Sequence, residues 1–336
     1  MIHVGIKVLI PGFLSTIQDM GRWGYQDKGV SPSGVMDTHA AALANTLVSN
    51  PVSEGVIEAA MGGIQLAFEE STVIAVCGAR TEILVDRRAV GMNTAVTVRR
   101  GQTLFIGPAA AGMWVYIAFA GGLDIAPVMK SASTNLSLHL GGMCGRKLKA
   151  GDQIGFRQPR SALPNQRLRH CPAPPLPAPN AVTPIRVILG PQDARFPPDV
   201  VSRLLSSQYI VTPESNRMGY RLSGSTGGLG SGYDIITDGI TFGSIQVPPS
   251  GEPIVMMADH QTTGGYAKIA AVISEDLPVL AQCRPGSALR FADISVEDAQ
   301  ALIAARALYL ERLRKTFERG ELYLSFERRG ALDTPQ

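Results

Sequence analysis

Apolar residues in this chain come in runs of strand length, broken again and again by glycine and proline, and that rhythm predicts strands over most of the sequence. Ile57 to Ala60, Ile64 to Phe68, Val73 to Cys77 and Ile83 to Val85 follow one another with Gly62, Gly63 and Gly78 between them, as in a β-meander. Thr103 to Leu123 carries no charge and is as long as a membrane span. Gly107, Pro108, Gly112, Gly121 and Gly122 interrupt it, so two strands around a turn at Pro108 to Gly112 are expected. Two stretches keep a helical period instead. Residues 38–48 follow Asp37, a candidate N-cap, and stop at Asn50 and Pro51. Ser295 to Phe317 opens with Ser295-x-x-Asp298 and spaces Val296, Ala299, Leu302, Ile303, Ala307, Leu310 and Leu313 along one helix face.

One pattern recurs. Gly101-x-x-Leu104-x-Ile106, Gly151-x-x-Ile154-x-Phe156 and Gly286-x-x-Leu289-x-Phe291 each set a glycine before an alternating apolar pair, which suggests two halves of related architecture. Residues 161–184 are so rich in proline that they read as an extended, semi-rigid connector. The division expected is therefore 1–160, a connector at 161–184, and 185–325.

Composition narrows the class. At 336 residues there is room for two cores, glycine and proline are frequent, and the net charge is only +3. The basic residues are scattered except at Arg167 to His170, so no nucleic-acid partner is expected. Cys77, Cys144, Cys171 and Cys283 form no metal-ligand spacing and no disulfide framework, which points to free thiols in a reducing cytoplasm and to no metal. The first residues, MIHVGIKVLIPG, lack the basic lead and long apolar core of a leader and read as a first strand, with no membrane segment expected.

Candidate chemistry gathers between Ser231 and Lys268. Ile254 to Ala258 and Tyr266 to Ile273 are strand-like, with Thr262, Thr263, Gly264 and Gly265 between them, and the pattern predicts a hairpin. One turn register sets Asp259 opposite Lys268 and the other sets Gln261 there; either leaves about 5 Å between Cβ atoms. Glu252, Asp259, Gln261 and Lys268 would then combine a carboxylate, an amide and an ammonium, a set suited to proton transfer on ureas, lactams and carbamates. A surface ion pair is the plainer alternative. Residues 11–37 hold Gln18, Asp19, Arg22, Gln26, Asp27, Lys28 and Ser33 among glycines, as a binding loop would. Ser215 to Arg221 places two arginines beside an aromatic ring, suited to clamping an anion.

Other signals are weaker. Gly224 to Gly232 lacks the Lys-Ser/Thr ending of a phosphate loop and reads as a flexible turn. No Gly-x-Ser-x-Gly elbow occurs, which argues against a serine hydrolase. Met129-Lys130 resembles the dipeptide at a biotin attachment site, but its glycine- and serine-rich surroundings argue against a carrier lysine.

Thr16 to Arg22, Gly29 to Asp37, Ala120 to Gly122, Gly145 to Asp152, Gly190 to Gln192, Ser215 to Leu222, Ile245 to Pro248 and Asp259 to Tyr266 resemble, in order and over nearly the whole chain, the biotin-dependent carboxyltransferase family. That family is also called allophanate hydrolase subunit 2 and includes the KipA-type C component of 5-oxoprolinase. The resemblance implies a mainly β protein of two tandem cyclophilin-like β-barrel domains with a few helices, one of them C-terminal. It implies a part in ATP-dependent opening of 5-oxoproline to glutamate, shared with the KipI-like B component of 5-oxoprolinase and with its A component, the chain being inactive alone. It also implies two alternatives: transfer of a carboxyl group from carboxybiotin, carried elsewhere, to urea or a related amide, and non-catalytic binding of a KipI-like kinase inhibitor. A homo-oligomer stays open. Arg22, Ser33, Asn216, Arg217, Gln246, Asp259, Gln261 and Lys268 would line one cleft, with Asp259, Lys268 and Glu252 as the catalytic set. The chain departs from the family where Ser131-Ala132-Ser133 replaces an arginine between serines and where Ala267 replaces a proline. Lys130 is a poor stand-in for a bidentate guanidinium.

Overall fold

A computed structural model describes residues 4–224, 226–227 and 234–320. The turn expected at 224–232 therefore lies largely outside the described residues. Among the described residues, eleven strands occupy the first half: β1 (Ile6–Pro11), β2 (Leu14–Gln18), β3 (Val56–Ala60), β4 (Gly62–Phe68), β5 (Thr72–Arg80), β6 (Ile83–Val85), β7 (Arg88–Ala89), β8 (Ala95–Val98), β9 (Thr103–Pro108), β10 (Ala111–Phe119) and β11 (Gln153–Ile154). They form two sheets, ordered β11-β1-β4-β9-β6-β7 and β2-β3-β10-β5-β8. The turn expected after Pro108 is present, but the expected meander is not: the four runs form strands β3, β4, β5 and β6, yet β3 and β5 lie in one sheet with β10 between them and β4 and β6 in the other with β9 between them.

The second sheet is covered on both faces, which is why β10 reads as an apolar run and β3 is apolar except for Glu58. Along β10, Val115, Ile117 and Phe119 enter a core shared with Ile6, Leu66 and Leu104 of the first sheet. The alternate residues Trp114, Tyr116 and Ala118 face the other way, into a core that continues to the second half of the chain. Helix α1 (Thr38–Leu47) packs on that face, and its alanines allow the close approach. Asp37 caps it as expected, with Oδ1 accepting from Ala40 N–H at 2.8 Å.

The second half contains β12 (Val182–Leu189), β13 (Tyr209–Val211), β14 (Gly219–Ser223), β15 (Asp234–Gly239), β16 (Ser244–Gln246), β17 (Ile254–Met256), β18 (Thr263–Tyr266), β19 (Lys268–Val272) and β20 (Ala288–Asp293). Seven of them close a barrel in the order β12-β19-β16-β17-β14-β13-β20. Strands β15 and β18 pair with each other as a ribbon outside the barrel. Helices α2 (Pro198–Ser206), α3 (Leu277–Ala281) and α4 (Val296–Arg319) complete the described fold, and α4 is the C-terminal helix expected from its serine cap. The recurring glycines Gly101, Gly151 and Gly286 share φ of 85°, 90° and 89° and lead into β9, β11 and β20, so the sequence repeat has a common backbone cause.

The hairpin expected between Ile254 and Ile273 does not form. Strand β16 lies between β17 and β19, with Gln246 registered opposite Ile254 on one side and Lys268 on the other. The apolar runs are strands, but a three-residue strand from earlier in the chain takes the place between them. Neither register expected for Lys268 survives.

The halves are tied together. Gln282 Oε1 accepts from Met113 and Trp114 N–H at 2.7 and 3.0 Å, and Arg284 donates to the Gly112 and Ala109 carbonyls at 2.5 and 2.6 Å. Helix α4 returns across the seam to pack on α1. The proline-rich connector is pinned as well: buried Arg169 donates to the carbonyls of Leu47 (3.1 Å) and Phe317 (3.3 Å). No described helix is long and apolar enough to cross a membrane.

Candidate functional site

Two polar centres emerge from this arrangement. The first sits in the seam. Glu58 on β3 is fully buried, and the Arg217 guanidinium, from the loop before β14, reaches it from the other half. Arg217 Nε and Nη2 also engage Asp259 Oδ2 and Oδ1 at 2.8 and 3.0 Å, and Nη2 donates to the Gly34 carbonyl at 2.7 Å. Glu58 Oε2 accepts from Met36 N–H at 2.7 Å and from the Tyr116 hydroxyl at 2.8 Å. Burial pushes the Glu58 carboxyl above its ordinary range, against the pull of Arg217. For Arg217 burial opposes the charge, but Asp259 and Glu58 outweigh it and hold its pKa above the usual arginine value.

Arg22 and Ser33 belong to the same region. Arg22, 1% exposed, donates to the Val128 carbonyl at 3.0 Å and the Ser133 carbonyl at 2.7 Å, while its Nη1 has no hydrogen-bond partner among the described residues. Burial lowers its pKa, and Asp19 and Asp259 oppose that. Asp19 binds both flanking serines, Ser131 at 2.7 Å and Ser133 at 2.5 Å, and takes the Ala132 N–H at 2.6 Å. That grip directs the Ala132 side chain toward Gly55 and the first core, so the position is occupied by packing. Ser33 accepts from Asn135 at 2.9 Å.

The second centre surrounds Lys268. Its ammonium, 5% exposed, donates to Asp238 Oδ2 at 2.5 Å and to the Gly239 carbonyl at 2.7 Å, both on the β15–β18 ribbon. Gln192 donates to the same Asp238 oxygen at 3.0 Å and accepts from the Lys268 N–H at 2.9 Å. The Lys268 hydrogen bond is the main cause holding the Asp238 carboxyl below its ordinary value. Gln246 is buried beside Lys268 and donates to the Tyr266 carbonyl at 3.1 Å. Its amide and that of exposed Gln261 both approach Gly264, where an added Cβ would lie 3.0 and 3.3 Å from them.

The nine site residues expected from sequence thus divide. Arg22, Ser33, Arg217 and Asp259 meet in the seam; Gln246, Gln261 and Lys268 meet on the barrel. Glu252 falls elsewhere, in a cavity of about 410 Å³ lined also by Glu214, Arg221 and Tyr266. Asn216 is exposed in a turn beside Arg217, accepting from Met218 N–H at 2.8 Å. Asp259 and Lys268 are not each other's partners, because each is held in a separate ion pair. Sequence reasoning missed Glu58, Tyr116, Asp238 and Gln192. Glu58 had a signal, a lone charge inside a continuous apolar strand; Asp238 and Gln192 lie in segments singled out above, but nothing local ties either to Lys268, since that pairing is fixed only by the ribbon folding back.

Comparison with known proteins agrees over nearly the whole length. Residues 28–293 match the family described as carboxyltransferase domain, subdomain A and B. The C component of the Haemophilus influenzae 5-oxoprolinase is 36% identical over 301 residues, covering 90% of this chain and 95% of that one. Its counterpart in Escherichia coli is 34% identical over 309 residues, covering 92% and 97%. The crystal structure of Kluyveromyces lactis urea carboxylase is similar with a TM-score of 0.82 at 27% identity, covering 97% of this chain but 30% of that one. With about four fifths of its length inside one family's boundaries and that family's fold reproduced, the chain belongs to the carboxyltransferase domain family.

Proposed function

We propose that the chain is the C component of a 5-oxoprolinase, acting with separate A and B components in the ATP-dependent hydrolysis of 5-oxoproline to glutamate. The observation that carries this reading is end-to-end similarity to two proteins named as that component of 5-oxoprolinase, with 95% and 97% of their lengths matched. In this reading the Lys268 ammonium binds the lactam carbonyl, and the Gln246 and Gln261 amides receive the ring amide. Arg22, Ser33, Arg217 and Asp259 form the neighbouring wall, with Asn216 at its rim, and Glu252 serves the cavity on the outer barrel face.

ATP is assigned to another component of the complex. That assignment agrees with the described helices of eight residues or more, where Asp37 and Ser295 each already take up an N–H at the start of α1 and α4, and α2 begins with prolines that lack N–H groups.

The test is reconstitution with the A and B components, ATP and 5-oxoproline, measuring glutamate. Wild type is expected to be required for turnover, and Lys268→Ala to lower it by about a hundredfold or more, the usual loss on removing one electrostatic donor. Full turnover without this chain would end the reading. A second reading, carboxyl transfer from carboxybiotin held by a separate carrier, is favoured by the likeness to urea carboxylase. It requires a carboxylated urea or amide product once a biotin carboxylase and carrier are supplied.

A further inference from the structure

We propose that Asp238 is a displaceable counter-ion that positions the Lys268 ammonium, and that the ligand's own carboxylate or polarised carbonyl oxygen takes its place during binding. The geometry carries this. Lys268 is on a barrel strand and nearly sealed, whereas Asp238 is on the ribbon outside the barrel and its side chain is 53% exposed. The ribbon also turns an apolar residue to water, Ile236 at 95% exposed, so its outer side is not packed against the rest of the described chain.

Asp238 and Gly239 take two of the three N–H donors of the ammonium, and Gln192 adds a second donor to the same Asp238 oxygen. Asp238 Oδ1 receives the Gly239 N–H at 2.7 Å, so the carboxylate is aimed by its own backbone. An oxygen ligand approaching Lys268 must therefore exchange with Asp238 or share the ammonium with it. A half-exposed carboxylate can leave for water, which one such as Asp259, its side chain 8% exposed, cannot do without stripping two hydrogen bonds from the buried Arg217 guanidinium. Gln192 then remains as a donor to the incoming oxygen. The ligand class is an oxyanion or carbonyl of a small amide, lactam or carboxylate. The inference rests on the reading of Lys268 given above, and its test is chosen to separate the two.

Lysine acylation by an isotope-coded reagent, read peptide by peptide by mass spectrometry on the full chain at pH 8, measures how freely the Lys268 amine is presented. Asp238→Asn keeps the shape and removes the charge. Lys268 labelling should rise about tenfold over wild type, the scale of a hydrogen bond to a charged group. Lys7 and Lys147 should be unchanged as internal standards, and Asp238→Glu should restore slow labelling. Gln192→Ala should shift labelling the same way by a smaller factor, which keeps the test alive if Asp238→Asn folds poorly. Unchanged Lys268 labelling in both Asp238→Asn and Gln192→Ala overturns the proposal. In the reconstituted enzyme Asp238→Asn should lower KM, because a competitor for the ammonium is gone, while a purely structural role would lower kcat and leave KM in place. If Lys268→Ala retains turnover, the functional reading falls while the labelling result still decides whether Asp238 controls the amine.

Discussion

The seam and the ribbon each hold a cation against carboxylates, and they differ in what surrounds the pair. In the seam Arg217 lies between Glu58 and Asp259, and none of the three side chains is more than 8% exposed. At the ribbon Lys268 is buried but its partner is half in solvent. A charge group with every partner inside the protein cannot be altered without leaving another buried charge alone, so the seam is a structural commitment between the two halves. A pair with one foot in water can exchange partners, so the ribbon is suited to ligands.

The largest effect should therefore come from the seam. Arg217→Ala strands Glu58 and Asp259, and breaking such a buried group costs about 3 to 5 kcal/mol. Urea unfolding should show a loss of that size; a loss near zero would put the seam and the ribbon in one class. Tyr116→Phe sharpens the same point with less disruption. It removes one neutral donor from Glu58 and leaves the Asp37 N–H without the hydroxyl it bonds at 2.7 Å, for about 1 to 3 kcal/mol by the same measurement.

The sequence made the elements more legible than their partners. Asp37 and Ser295 were readable as caps because a cap is a local event, settled within four residues. The strands at 254 and 268 were readable too, since each carries its apolar residues in itself. Their pairing was not, because β16 is only Ser244–Gln246 and enters from outside the segment, and nothing in either run excludes it. The same non-locality divided the candidate site. Arg217 and Asp259 were both identified, but Glu58, the second carboxylate on Arg217, lies 159 residues from it in the chain, and its lone charge in an apolar strand does not say which cation will meet it. Lys268 was identified with the wrong carboxylate because Asp238 reaches it through a ribbon that only the folded chain creates.

Between the two regions lies His260, next to Asp259 and 2% exposed, with Nδ1 at 2.7 Å from the Gln261 carbonyl. Burial lowers its pKa, against the opposing effects of that carbonyl and of Asp259. Below about pH 6.5 the unfolded chain takes up a proton that folded His260 refuses. Its contribution to stability is then complete above that pH and lost as the pH falls from there toward the lower folded value. His260→Gln should flatten this acid limb in melting curves taken between about pH 7.5 and about pH 5, either side of the ordinary histidine value, and an unchanged limb would free His260 of any part in it.

The smallest effect is expected where the chemistry is proposed. Asp238 has its pKa lowered by Lys268, so the stability it contributes is present above the ordinary carboxylate value, about 3.9, and is lost as the pH falls below it. From about pH 5 to about pH 8 the pair is fully formed, yet an exposed carboxylate is screened by salt and gains little from its partner. Asp238→Asn keeps an oxygen and the Gly239 carbonyl on the Lys268 ammonium, so it should lower the melting midpoint of the full chain only slightly across that range, in the same buffers in which Arg217→Ala lowers it by many degrees. Paired with a rise in Lys268 acylation, so small a change would mean that Asp238 governs the reactivity of one amine more than it supports the fold. A midpoint that fell as far as in Arg217→Ala would make the ribbon a second seam, and Lys268 would then be held too firmly to accept a ligand oxygen in exchange.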